Sequence, residues 1–136
     1  MKNNLQQGNS NELSIRDFRL LVHLGNSPEE RLNPQQVSVD ITFTFDSGPI
    51  AAKSDDIADT ICYSIVTELI QNYIATKSFN LIEHFAASIY TILYQYLIEE
   101  NGYNNISIGV VITKLSVPVL GMYGGASFSY YGPPIS

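Results

Sequence analysis

The chain has 136 residues, 45% of them hydrophobic, which is enough for one domain with its own core. Thirteen acidic and seven basic residues give a net charge of −6 without any cluster of lysine and arginine, so we expect no nucleic-acid partner. One cysteine excludes an intrachain disulfide, and with only two histidines the chain has few ligands for zinc, so we expect no metal. The chain also has no G-x-G-x-x-G motif and no P-loop, and we expect no cofactor.

The chain begins with a polar segment, residues 1–11, which we expect to be disordered. Residues 12–131 are predicted to form a single domain, and residues 132–136 a tail. No stretch reaches the roughly 18 apolar residues of a membrane-spanning helix, so the sequence predicts a cytoplasmic protein with no membrane partner.

Two strands are predicted in the first third of the chain. Residues 36–45 alternate strictly between polar side chains and β-branched or aromatic ones, which is typical of a strand with one buried face. Residues 13–22 alternate less regularly and end at a turn over residues 25–28. We expect these strands to pair in antiparallel fashion.

Two amphipathic helices and two more strands follow. Apolar residues recur at helical spacing from Tyr63 to Ile74 and from Leu81 to Leu97, and Asn101-Gly102 ends the second helix. Residues 106–113 alternate as a third strand, and the tyrosine-rich residues 126–131 form a fourth, less regular one. The predicted fold is α+β, with two antiparallel helices covering one face of a four-stranded antiparallel sheet, in the order ββααββ.

Lys114 continues the apolar parity of the third strand, so its side chain is predicted to leave the strand toward the helices. The pattern leaves two interpretations open. The lysine can snorkel to water from the strand end. Alternatively, it is a partly desolvated amine with a lowered pKa that exchanges protons near neutral pH.

Glu83 also has two interpretations. Residues 80–83, Asn-Leu-Ile-Glu, have the form of a capping box, with Glu83 at the third helical position. A carboxylate at a helix start can also accept two hydrogen bonds from an amidine-like edge of a ligand. Both interpretations place Glu83 at the start of the second helix.

Two acidic segments are predicted to have local structural roles. Residues 54–60 hold three carboxylates but lack EF-hand spacing, and Asp59 or Thr60 can instead cap the first helix, so we propose no calcium site. Residues 29–31, Glu-Glu-Arg, are predicted to form a solvated loop or one helical turn.

Several of these segments together resemble the dihydroneopterin aldolases in order and spacing. The resemblance rests on Glu30 with Gln35, on residues 51–63, on residues 79–83 and on Thr113-Lys114, and it covers roughly residues 13–128. It implies the tunnelling fold, which has the same order of strands and helices. The sequence departs from the family pattern at residues 24–26, at residues 115–118 and at residues 121–136, where the usual terminal strand with a closing charge is missing.

The resemblance implies retro-aldol cleavage of 7,8-dihydroneopterin in folate biosynthesis. The products are 6-hydroxymethyl-7,8-dihydropterin and glycolaldehyde, and the C6=N5 imine of the pterin takes up the electrons, so neither a metal nor an enzyme Schiff base is needed. The family pattern implies that Glu83 anchors the pterin, with hydrogen bonds added by the backbone of Ile82 or Ile61.

The same resemblance implies the proton-transfer residues. Lys114 takes the proton from the side-chain hydroxyl and helps to return one to the enol intermediate. Tyr63 relays or donates that proton, and Glu30 holds the hydroxylated side chain. The active sites are expected between the subunits of a homo-oligomer, either a tetrameric ring or an octamer.

Two alternatives remain. One is an epimerase acting on dihydroneopterin triphosphate, which needs local positive charge that the sequence offers only at scattered positions such as Arg16, Arg19, Arg31 and Lys53. The other is a non-catalytic pterin-binding ring protein, which would not require a set of proton-transfer residues.

Overall fold

Residues 11–136, which this computed structural model describes, form five strands and four α-helices. The elements are β1 (Asn11–Leu24), α1 (Pro28–Leu32), β2 (Gln35–Phe45), α2 (Ala51–Ser54), a 3-10 turn (Ile57–Asp59), α3 (Tyr63–Ile74), β3 (Ser78–Phe79), α4 (Ile82–Tyr94), a π-helical segment (Gln95–Glu100), β4 (Ile106–Lys114) and β5 (Ala126–Tyr130). The predicted disordered segment lies outside the described residues except for Asn11, which begins β1.

The sheet has the strand order β3-β1-β2-β4-β5. The pairs β1–β2, β2–β4 and β4–β5 are antiparallel, whereas β3 runs parallel to β1. The α+β class is confirmed, but the predicted four-stranded antiparallel sheet is wrong in detail. Strand β3 has only two residues, which is too short for alternation to mark it in the sequence.

The core lies between the sheet and helices α3 and α4. Alternate residues of the two central strands are almost fully buried, as their alternation predicted: Val37, Val39, Ile41, Phe43, Ile108, Val110 and Ile112. Val66 and Ile70 of α3 and eight residues of α4 are also buried. Among residues 11–136, no helix is both long enough and apolar enough to cross a bilayer.

A bulge explains why the alternation of β1 is irregular. The pairing with β2 shifts between Ile15 and Phe18, where Asp17 adopts a left-handed conformation with φ of 53°. The Asp17 N–H donates to Asp40 Oδ1 at 2.6 Å, and its carboxylate accepts a hydrogen bond from Ser38 Oγ at 2.6 Å. The bulge is therefore held by side chains of the neighbouring strand.

The capping box predicted at the start of α4 is wrong. The helix begins at Ile82, its N-cap residue is Leu81, and no side chain caps it. Asn80 lies one residue too early to serve as the cap, so Glu83 occupies the second helical position rather than the third. The carboxylate of Glu83 is therefore not used to close the helix start.

The caps predicted for α3 are also wrong. Its N-cap residue is Cys62, which makes no side-chain hydrogen bond to the helix, and neither Asp59 nor Thr60 caps it. Asp56 instead caps the 3-10 turn, where its Oδ1 accepts from the Ala58 N–H at 3.0 Å.

The predicted fourth strand is present as β5 and ends at Tyr130, one residue before its predicted end. The segment after β5 contacts helix α4, where the Ile135 N–H donates to Thr91 Oγ1 at 2.9 Å. Helix α4 continues past Tyr94 as the π-helical segment and ends before Asn101, where the sequence predicted the stop.

Candidate active site

An ion pair joins the end of β4 to helix α1. Lys114 Nζ donates to Glu30 Oε2 at 2.6 Å, and the two side chains keep only 17% and 29% of their surface exposed. Lys114 pairs in register with Val37, which is fully buried, so the predicted direction of the lysine toward the helices is confirmed. The lysine does not extend freely into water from the strand end, because a carboxylate binds it.

Helix α1 holds Glu30 in position. Ser27 caps the helix, its Oγ accepting from the Glu30 N–H at 3.1 Å, and Pro28 occupies the first turn. The second carboxylate oxygen of Glu30 accepts from the Asn26 N–H at 3.2 Å. The predicted helical turn is confirmed, but Glu30 is partly buried rather than solvated.

The surroundings of Glu30 keep its carboxyl group ionised. The hydrogen bond from Lys114 is the largest influence and holds the pKa of Glu30 below its ordinary value, although partial burial opposes this shift. The charge of Lys114 and hydrogen bonds from Asn26 and Gln35 lower this pKa further. Glu30 therefore remains an acceptor to lower pH than a free glutamate.

Gly25 allows Glu30 to lie against the main chain at the end of β1. A Cβ atom on Gly25 would lie 2.5 Å from both Cβ and Cδ of Glu30, closer than real Cβ contacts. The Gly25 N–H donates to Phe79 O at 3.0 Å, and its carbonyl accepts from Arg31 Nη1 at 2.8 Å. Gly25, which lies in the segment that departs from the family pattern, is thus contacted by Phe79, Arg31 and Glu30.

The structure brings Lys114 and Glu30 together but joins neither Glu83 nor Tyr63 to them. Glu83 is exposed, and its carboxylate makes no hydrogen bond within residues 11–136. Tyr63 begins α3 and is 60% exposed, and no described hydrogen bond or ring contact links it to the other three residues. The single chain therefore presents Tyr63 outward.

Ile61 lies just before helix α3, and Ile82 lies at the start of helix α4. Ile82 opens α4, where the first N–H groups have no partner within the helix, and no side chain caps them. Ile61 is only 2% exposed as a whole residue, and its main chain forms no hydrogen bond with another described residue.

No group of three or more histidine, cysteine, aspartate or glutamate side chains within the described range is arranged to hold a metal ion. This includes residues 54–60, the acidic segment considered above as a cation loop.

Comparison with known proteins identifies the family. The model of the family FolB, dihydroneopterin aldolase, matches residues 13–130. The chain belongs to the dihydroneopterin aldolase family. A Chlamydia pneumoniae protein named "Probable dihydroneopterin aldolase" is 40% identical over 79 residues, which are 58% of this chain and 59% of that protein. The match therefore spans about three fifths of this relative.

Solved structures show the same fold. A FolB structure from Vibrio cholerae superposes with a TM-score of 0.72 at 20% identity, over 90% of this chain and 98% of that one. The dihydroneopterin aldolase of E. coli, in complex with neopterin, superposes with a TM-score of 0.68 at 19% identity, over 88% and 98% of the two chains. The predicted family is confirmed.

Sequence reasoning gave no positioning role to Ser27, Gly25 or Gln35, which hold Glu30 in this member of the dihydroneopterin aldolase family. Ser27 and Glu30 form the Ser-x-x-Glu spacing of an N-terminal cap, with proline between them, and this signal could have predicted α1. Gln35 donates to Leu24 O and lies 3.5 Å from Glu30 Oε2. No sequence signal indicates the role of Gly25.

We predict that Gly25→Ala lowers the free energy of unfolding by about 1–3 kcal/mol, because the new methyl group must displace Glu30. Gly48→Ala is the matched control, since a Cβ there meets no atom within 4 Å, and it should stay within about 0.5 kcal/mol of the parent. Urea unfolding at one fixed protein concentration measures both. Equal stability of the two variants would show that Glu30 is not held against Gly25.

Proposed function

We propose that this chain is a dihydroneopterin aldolase of folate biosynthesis, which cleaves 7,8-dihydroneopterin into 6-hydroxymethyl-7,8-dihydropterin and glycolaldehyde. The observation that carries the proposal is the partly buried Lys114–Glu30 ion pair, in a chain of this family. The neopterin in the similar E. coli structure supports a pterin as the ligand class. The pair supplies a proton-transfer group and a fixed acceptor side by side.

Glu83 is proposed to bind the pterin ring. Its carboxylate is exposed at the start of α4 and has no partner among the described residues, so both oxygens can accept hydrogen bonds. A pterin presents a ring N–H and a 2-amino group on one edge, which matches a carboxylate in bidentate geometry. The backbone of Ile82 or Ile61 adds further hydrogen bonds. Charge-assisted bonds of this kind contribute about 1.5–3 kcal/mol each.

Lys114 is proposed to move the protons. Glu30 accepts hydrogen bonds from the hydroxylated side chain, and Lys114, in its neutral amine form for this step, takes the proton from the 2′-hydroxyl through a water molecule. The bond between the first and second side-chain carbons then breaks, and its electron pair passes into the C6=N5 imine. Glycolaldehyde leaves, and protonation of the remaining enol carbon completes the product.

Tyr63 is proposed to supply that last proton from a neighbouring copy of the chain. Its exposed ring and the lack of a described contact with Lys114 or Glu30 support a role across a subunit boundary. Strands β3 and β5 form the two edges of the sheet, and edge-to-edge association into a ring would cover them. We therefore propose a homo-oligomer, as a tetrameric ring or an octamer.

The direct test is product identification after anaerobic incubation with 7,8-dihydroneopterin. We expect equimolar 6-hydroxymethyl-7,8-dihydropterin and glycolaldehyde, and unchanged yield in the presence of EDTA, because the proposed chemistry uses no metal. A reaction without protein is the control for spontaneous breakdown. Unchanged substrate, or activity that EDTA removes and zinc restores, would contradict the proposal.

We expect Lys114→Ala and Glu83→Ala to fail at different steps. The lysine variant should lose turnover while its affinity for the pterin changes little, whereas the glutamate variant should bind about a hundredfold more weakly. Lys53→Ala and Glu68→Ala remove exposed charges elsewhere and serve as matched controls. Normal pterin binding by a Glu83 variant of lowered melting temperature would assign this residue a purely structural role.

Tyr63→Phe tests the proton donor, because it keeps the ring and removes only the hydroxyl group. Carbon–carbon cleavage should continue, while the enol intermediate persists and is oxidised in air. The variant should therefore form oxidised pterin with oxygen and react slowly without it. Product ratios are compared by chromatography with and without oxygen, and wild-type ratios at wild-type rates would remove Tyr63 from the mechanism.

A further inference from the structure

An open groove lies between helix α1 and the turn that joins α3 to β3. Its volume is about 540 Å³. Five polar residues line it, with three apolar residues between them: His23, Arg31, Thr76, Lys77 and Ser78. We call this surface the basic groove.

The charge of the basic groove is opposite to that of the whole chain. The sequence carries thirteen acidic and seven basic residues, yet no aspartate or glutamate lines the groove. Arg31 and Lys77 are separated by 46 positions in the sequence, and folding places both beside one of the only two histidines. Positive charge collected around one cavity of an acidic protein favours an anionic ligand.

The groove also offers hydrogen-bond donors that are not used within the protein. Arg31 Nη1 donates a hydrogen bond to Gly25 O at 2.8 Å, and the remaining N–H groups of the guanidinium can donate to a ligand. His23 Nδ1 lies 2.7 Å from the Arg31 carbonyl, which can only accept, so Nδ1 carries the hydrogen. Nε2 of the neutral ring is then an acceptor, so the donors for an anion come from Arg31, Lys77 and the two hydroxyl groups. The hydroxyl groups of Thr76 and Ser78 make no hydrogen bond to another described residue.

Helix α1 contributes both to the basic groove, through Arg31, and to the Lys114–Glu30 pair. Arg31 and Glu30 are consecutive residues of α1. Arg31 donates a hydrogen bond to the Gly25 carbonyl, and the side chain of Glu30 lies against Gly25. Strand β3 lies beside the end of β1, where Ser78 pairs with His23. A ligand bound in the groove would therefore contact the elements that hold Glu30.

We propose that the basic groove binds a phosphoryl oxyanion, either inorganic phosphate or a phosphate ester on the side chain of the pterin substrate. Several cationic and hydroxyl donors around one cavity suit a tetrahedral anion with multiple acceptor oxygens. Only the ester form of the ligand rests on the proposed function. Binding of inorganic phosphate can be measured whether or not the chain is an aldolase.

Calorimetric titration with inorganic phosphate tests the site on the full-length protein. We expect saturable binding, weakened about fivefold by Lys77→Gln, because an exposed ammonium contributes a modest attraction. The Lys77 ammonium lies 5.0 Å from the centre of the Tyr73 ring and forms no ion pair with a described residue, so this substitution should leave the fold intact. The matched control is Lys53→Gln, an exposed lysine of α2 outside the groove, which should bind phosphate as the parent does.

The absence of saturable phosphate binding to the parent protein would overturn the proposal. So would an equal loss of binding in the Lys53 and Lys77 variants, since this would indicate attraction by net charge alone.

Kinetics in phosphate-free buffer separate the two sources of the phosphoryl group. If the ligand is the substrate, the 3′-phosphate ester of 7,8-dihydroneopterin should have a KM about fivefold below that of the free triol, and Lys77→Gln should remove the difference. Equal KM values together with calorimetric binding of phosphate assign the groove to the free ion. Lack of turnover with both compounds would contradict the aldolase proposal and leave the calorimetric result for the groove unaffected.

Discussion

The close packing around Gly25 is the constraint on which the candidate site depends. Its N–H is bound to Phe79, its carbonyl is bound to Arg31, and the side chain of Glu30 lies against its Cα. These contacts connect the end of β1 and the adjoining helix α1 to the short strand β3, which is distant in sequence and leads into α4. A side chain at this position would separate Glu30 from Lys114, because the space for a Cβ atom is already occupied.

We propose that the Lys114–Glu30 pair contributes more to chemistry than to stability. Partly buried ion pairs lose much of their attraction to desolvation, so hydrophobic residues could fill the same space at little cost. The buried sheet face beneath the pair and helices α3 and α4 already supply the core. A charged pair at the end of an interior strand therefore supports the proposed roles in proton transfer and in recognition of hydroxyl groups.

Local patterns predicted the regular elements well and the helix starts poorly. Alternation identified the buried face of β2 and β4, because a period of two depends only on neighbouring residues. A polar residue three positions before a glutamate occurs both at Asn80 and at Ser27, but only Ser27 caps a helix. Pro28 fixes the backbone for the first turn there, whereas no residue after Asn80 does so.

The sequence by itself determined the α+β class, the family, and the face of the sheet from which Lys114 projects. Only the tertiary structure decided which residue meets that lysine, because Glu30 lies 84 positions away and no local pattern links the two. The same reason applies to the basic groove. Arg31 and Lys77 are far apart in the sequence, and only the packing of α1 beside the turn before β3 brings them together. Periodicity depends on neighbours along the chain, whereas sites depend on distances that the packing of remote elements sets.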